Sequence, residues 1–373
     1  MDPQEQFCPN PACPARGVVG DGNIRVHSWP ERRYRCVRCR KTFAATSGTV
    51  FYRRSTDPEV ITRVLTLLCH GCPPQAIVAA FGLDERTVAG WQVAAGAHCR
   101  RVHEHLVEAG RVELGHVQAD ELRAKVVGGV VWLAMALAVP SRLWLGAAIG
   151  AARDEALLRA VLRRVRAATA RLRLLISVDG FRAYPQAVWH AFREPVRTGK
   201  RGRPRLVWPA GLLVGQVVKR REQRRVVGID RRPVRGSAAA IKARVAATAS
   251  GTDLNTAFIE RLNAGFRARL VPLVRRGRAI CRAVAQLEGA VWLLGTAYNL
   301  CWAHESLRVA AAPGSGRKWR ERTPAMAAGL TDRIWTLDEL LRYRVPPPAW
   351  VAPKRRGRPP KATDSPTALP TAA

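Results

Sequence analysis

A chain of 373 residues, 47% of them hydrophobic, is long enough for two to three domains and a sizeable buried core. Its 62 Lys and Arg against 28 Asp and Glu leave a net charge of +34, far more than solubility needs, so the expected partner is a polyanion, nucleic acid first. The longest apolar run, residues 126–140, is interrupted by two glycines and flanked by Lys125 and Arg142, which excludes a membrane span, and the start MDPQEQFCPN has no apolar segment of a secretory signal. A cytoplasmic, nucleoid-associated location is therefore expected.

Nine cysteines in a reducing compartment argue for metal ligation or burial rather than a disulfide framework. Cys8 and Cys13 form one closely spaced pair, and Cys36 and Cys39 a second, 22 residues further on. Two such knuckles close one tetrahedral Zn²⁺ site. A zinc ribbon over about 6–45, within a first domain of 1–50, follows, with Ile24, Val26, Trp29 and Tyr34 in small strands that need the metal clamp. The arginines between 32 and 40 favour a DNA contact for it. Cys69, Cys72, Cys99, Cys281 and Cys301 complete no second site and are expected as core or surface thiols.

Residues 56–110 read as helical. Asp57, Pro58 and Glu59 open a helix that Gly71, Pro73 and Pro74 end. A short helix over 74–80 leads through the turn Phe81-Gly82-Leu83 to another that Asp84 opens. This is the pattern of a helix-turn-helix, which would aim Glu85, Arg86, Thr87 and Gln92 at the major groove. A plain helical bundle remains the alternative.

The periodicity then switches. Three strands are expected at 112–122, 129–139 and 143–149, a helix at 154–170, a strand at 172–178 and a helix at 181–192. Three strands, helix, strand, helix is the order of an RNase H-like core. In that order Asp120, in VQADEL, lies on the first strand, and Asp179, in LLISVDGF, ends its neighbour. Two carboxylates distant in sequence can then share a metal. Glu260 falls on a helix expected over 253–270, with Asn263 and Arg267 on its face. Any one of these acids is ordinarily a cap or a solvated charge, but three at such places in so basic a chain point to a two-metal centre. A further helix is expected over 278–304, with Ile280, Val284, Leu287, Val291, Leu294 and Tyr298 as its apolar side. Residues 305–345 stay unassigned. From 346 to 373 the chain reads as a disordered basic tail.

Taken in order, YRCVRCRKTF, ATSGTVFYRR, the helix-turn-helix, the Asp120-Glu121 pair, SVDGF and IERLNAGFRARL resemble the DDE transposases of bacterial insertion sequences, in particular the insertion-sequence-one family. The likeness spans about 6–304. It implies a multidomain α+β chain: zinc ribbon, helix-turn-helix domain at 56–110, and RNase H-like DDE catalytic domain at 111–304 with a longer insert at about 193–252. It implies Asp120, Asp179 and Glu260 as the catalytic triad holding Mg²⁺ or Mn²⁺, with Asn263 and Arg267 in support. It also implies metal-dependent strand cleavage and transfer on double-stranded DNA by a homo-oligomer. Two Arg-Gly-Arg-Pro motifs, with Arg201 and Arg203 in the insert and Arg356 and Arg358 in the tail, suit an A·T-rich minor groove or are solvated basic loops. A non-catalytic DNA-binding regulator, or an inactivated transposase, is the competing expectation.

Overall fold

The structure, a computed structural model, describes residues 2–352 apart from 198, 200, 224, 275–279 and 315. The expected tail motif, Arg356 and Arg358, lies outside the described residues, as does part of the span expected to begin the helix at 278. The described chain divides into two compact units, residues 2–45 with 346–352, and residues 46–345.

The small unit holds an antiparallel sheet in the order β1 (Ile24–Ser28), β2 (Arg33–Cys36), β3 (Thr42–Ala44). Tyr34 pairs with Val26 on one side and Phe43 on the other. Its core is Ala15, Ile24, Tyr34 and Phe43 around buried cysteines, too little apolar surface to fold unaided. Trp29, expected on a strand, instead lies in the turn after β1 and is 63% exposed.

The large unit begins with α1 (Pro58–Cys69), α2 (Pro74–Phe81) and α3 (Glu85–His103). The caps are those the sequence announces. Asp57 accepts from the Glu59 amide, Gly82 turns in the left-handed region at φ 62°, and Asp84 accepts from the Arg86 and Thr87 amides. After α3 the helix widens into one π turn, Glu104–Glu108. There follow β4 (His116–Val126), β5 (Gly129–Ala138), β6 (Leu143–Gly150), α4 (Glu155–Ala168), β7 (Leu174–Asp179) and α5 (Tyr184–Phe192). Next come a small ladder of β8 (Glu194–Val196) and β9 (Arg205–Val207), the hairpin β10 (Leu212–Glu222) and β11 (Arg225–Arg235), and α6 (Ala238–Ala247). The chain closes with α7 (Ala257–Arg269), α8 (Val284–Leu300), the pair β12 (Val309–Ala310) and β13 (Trp319–Arg320), α9 (Pro324–Ala327) and α10 (Leu337–Arg342). Among the described residues no helix is long and apolar enough to cross a membrane.

The fold is mixed α+β, built on a six-stranded mixed sheet in the order β11-β10-β7-β4-β5-β6. Strands β4, β7 and β10 are parallel at its centre, and the hairpin partners outside them are antiparallel. Alternation along β4 sorts its side chains. Val117 and Ala119 join the core under α4 and α5, whereas Leu122 and Ala124 face Ile259, Leu262 and Phe266 of α7.

Several expectations shift. The first strand starts at His116 rather than 112, because Val112 makes only an isolated bridge to Thr169. The last core helix starts at Val284, because Cys281 pairs with the edge of β4 instead, its amide donating to the Lys125 carbonyl; Ile280 is accordingly not on the helix and is 55% exposed. The 193–252 insert is no mere appendage, since β10 lies beside β7 in the main sheet and Leu212 and Val214 are buried there. The unassigned 305–345 segment packs Trp335, Leu340 and Leu341 into the same core as α1 and α3.

Candidate metal centres

In the small unit Cys8, Cys13, Cys36 and Cys39 bring their sulfurs within 4.8 Å of one another. Cys8 Sγ lies 3.6 Å from Cys39 Sγ, and Cys13 Sγ 3.8 Å from Cys36 Sγ. Zn–S bonds of about 2.3 Å in a tetrahedron set an S···S edge of roughly 3.8 Å, so the four thiols have the size of a Zn²⁺ site. Burial raises the Cys8 and Cys13 thiols. Burial also works to raise Cys39, but hydrogen bonds from the Asn10 side chain and the Lys41 backbone outweigh it and bring Cys39 down to about 7. Among the five other cysteines, burial raises Cys69, Cys99 and Cys301, and none joins such a cluster among the described residues.

The second centre is carboxylate. The β4–β7 register runs in parallel from His116 opposite Leu175 to Ala119 opposite Val178, so Asp120 and Asp179 stand at the next level on neighbouring strands. Glu121 completes a set of three acids with oxygens within 4.8 Å of one another. Asp120 turns toward α7, where Asn263 Nδ2 donates to its Oδ2 at 2.7 Å. Helix α7 is held there by Gln118, two residues before Asp120 on the same face, whose Oε1 accepts from the Phe258 and Ile259 amides, both at 3.0 Å. Asp179 Oδ1 accepts from the Phe181 amide at 2.9 Å, which fixes the carboxyl at the strand end. Glu121 belongs to the opposite face and is tied back to Asp179 by Arg153, which contacts both carboxylates.

Burial raises Asp120, helped by Asp179 and Glu260 and opposed by the Glu121 amide and Arg153. Burial raises Glu121 to about 7, against the pull of the Tyr184 phenol and Arg153. The Tyr184 phenol lies close enough to act on Glu121, and among the described residues neither its hydroxyl nor Glu121 Oε1 has any other hydrogen-bond partner. Asn263 Oδ1 is likewise buried with no donor among the described residues. On the Asp120 face the buried Asn263 Oδ1 is an acceptor short of positive charge, and hard carboxylate and amide oxygens suit a hard divalent ion.

Glu260 stands outside this set. Its Oε1 accepts from Lys219 Nζ at 2.6 Å and from Thr256 Oγ1 at 2.8 Å. Burial works to raise it, but those two hydrogen bonds win and hold it below the usual glutamate range. Its charge still acts on Asp120. Arg267 is half-buried one turn beyond Asn263 on α7.

The expected DNA contacts divide. Arg86 is exposed at the start of α3, and Thr87 is half-buried beside it. Gln92 instead lines, with Glu85, a cavity of about 380 Å³ against Arg282 and Leu287, and Glu85 is paired with Arg282 at 3.2 Å. Arg201 and Arg203 are exposed between β8 and β9. Glu121, Arg153, Gln118 and Lys219 join the site beyond what the sequence patterns indicate. Of these, Glu121 alone carries a signal in the sequence, its place beside Asp120.

The chain matches no family model, and no curated protein matches it.

Proposed function

We propose that the chain is a metal-dependent DNA transposase of an insertion sequence, with Asp120, Asp179 and Glu260 as its acidic triad. What carries the reading is the pairing of Asp120 and Asp179 at one level of two parallel strands, with α7 laying Asn263 on Asp120 and Glu260 nearby, in a chain of charge +34. The sheet around them has the strand succession expected of an RNase H-like core.

Asp120 and Asp179 would hold Mg²⁺ or Mn²⁺, which supplies charge for the attacking and leaving oxygens of an in-line phosphodiester displacement. Asn263 keeps one Asp120 oxygen oriented. Glu260 joins the site by exchanging Lys219, whose ammonium is then free for a phosphate. The four cysteines would hold a structural Zn²⁺ in a ribbon. Arg86, Thr87, Arg201 and Arg203 supply contacts to double-stranded DNA, and the paired ends of an element call for a homo-oligomer on the nucleoid.

The test is cleavage of a supercoiled plasmid carrying the element's own ends in Mg²⁺ or Mn²⁺, comparing wild type with Asp120→Ala, Asp179→Ala and Glu260→Ala. Cutting at the ends that vanishes in all three supports the reading. Binding to the ends without cutting supports the second one, a non-catalytic DNA-binding regulator. That reading is favoured by Arg153, because carboxylates satisfied by an arginine need no ion.

A further inference from the structure

Arg153 lies on the short connection between β6 and α4, anchored by the strand before it and by the Asp154 cap after it, which accepts from the Leu157 amide at 2.9 Å. Its Nε donates to Glu121 Oε2 at 2.9 Å, and its Nη2 reaches the same oxygen at 2.7 Å and Asp179 Oδ2 at 2.9 Å. All these contacts come from one edge of the guanidinium; Nη1 makes none among the described residues. The plane rests against two rings, with Phe181 at 4.2 Å and Trp132 at 5.6 Å from its central carbon. The Arg153 side chain is 31% exposed, whereas that of Glu121 is fully buried. The guanidinium therefore stands at the boundary between a buried carboxylate and a site open to solvent.

We infer that Arg153 exchanges partners during the function proposed above, on which this inference rests. In the ion-free chain it neutralises Asp179. When divalent ions load Asp120 and Asp179, it leaves Asp179 Oδ2, keeps Glu121, and turns its free edge to a DNA phosphate. Asp179 Oδ1 already accepts from the Phe181 amide, so Oδ2 is the oxygen whose lone pairs a cation and the guanidinium both want. Glu121 stays as the anchor, because a buried carboxylate stripped of its partner is costly. The rings tolerate the turn, since a cation over an aromatic face is held by the face and not by one hydrogen bond. The planar fork then matches two phosphate oxygens, as an ammonium cannot.

Arg153 is thus a phosphate contact only in the ion-loaded state, and this is measurable. The zinc-loaded full chain, as wild type, Arg153→Gln, Arg153→Met and Arg153→Lys, is titrated onto one duplex across a salt series, with Ca²⁺ or with no divalent ion. Mn²⁺ binding to each protein is followed in parallel by electron paramagnetic resonance. With Ca²⁺, the slope of log affinity against log salt should be shallower by about one for Arg153→Gln than for wild type. Without divalent ion the two slopes should coincide. Arg153→Met keeps the packing between Trp132 and Phe181 and should repeat the Gln result should that variant fold poorly. Arg153→Lys should keep the wild-type slope in Ca²⁺ with weaker affinity. A slope change of equal size in both conditions, or none in Ca²⁺ while Mn²⁺ still binds, overturns the exchange and leaves the metal site standing. A wild-type chain that binds no Mn²⁺ at its carboxylates overturns both.

Discussion

The buried carboxylate of Glu121 makes a prediction about stability that needs no DNA. Its side chain is fully buried, and burial lifts it from the ordinary glutamate value of 4.5 to about 7 even with Arg153 at 2.7 Å. The folded chain therefore holds this proton more tightly than the unfolded chain. The stabilisation is complete below pH 4.5 and is lost as pH rises through 7. Between 4.5 and about 7 this tighter hold on the proton is worth about 3 kcal/mol. Glu121→Gln keeps the shape and removes the titration. Urea unfolding of both chains from pH 4 to 8, in buffer without added divalent ions, gives the difference in unfolding free energy at each pH. That difference should move by about 3 kcal/mol against the wild type across the range. Effects of acid on the cysteine site are common to both chains and cancel. Parallel curves would refute the reasoning, because they would mean that Arg153 fully offsets the burial.

Three further outcomes are expected. On the proposed function, Asp179→Asn should abolish divalent-dependent cleavage while leaving DNA affinity unchanged or higher, since it would remove negative charge from the groove proposed to take the phosphate; an equal loss of binding speaks against the site. Cys36→Ser should release zinc, measured by atomic absorption, and expose residues 2–45 to protease while residues 46–345 stay resistant, whereas full zinc content would count against the cysteine site. Gly96→Ala should destabilise the large unit by roughly 3 kcal/mol or more in urea, because a Cβ there would lie 2.2 Å from the Gly289 Cα, backbone against backbone, and an unchanged midpoint would show that α3 and α8 can part freely.

Local rules carried the reading of this sequence a long way. Asp57 and Asp84 cap the helices they announce, Gly82 takes the left-handed turn between α2 and α3, and the strand alternation that buries Ala119 and Leu122 on opposite sides of the sheet also roots Asp120 and Glu121 on opposite faces. That Asp120 and Asp179 lie on neighbouring strands follows from strand order, whereas their equal level is set by the β4–β7 register. What stayed hidden depends on partners remote in sequence. Gln118 holds the start of α7 from 140 positions away, and nothing local marks it as more than a strand polar residue. Arg153 is one of 62 basic residues, so its position between two carboxylates had no signature. Glu260 shows the reverse case: its helix was legible, but its ammonium partner, Lys219, comes from a strand in a segment that looked like an insertion. The 305–345 segment escaped because α9 and α10 have 4 and 6 residues, too few for a helical period to show.

The contact between α3 and α8 bears on geometry at a larger scale. At Gly96 and Gly289 the two backbones meet with no room for a side chain, and the Thr296 hydroxyl donates to the Cys99 carbonyl at 3.3 Å a little further along. The helix whose exposed start carries Arg86 is thereby held against α8, which in turn packs on β6 of the sheet that carries Asp120, where a Cβ at Gly295 would lie 2.4 Å from the Trp144 ring. On the proposed function, the span from the base pairs that helix reads to the phosphate that is cut is set by the protein, like the fixed jaws of a caliper. A few base pairs added between the two would rotate the scissile phosphate around the duplex and away from the acids, so such a chain measures its DNA as well as reading it.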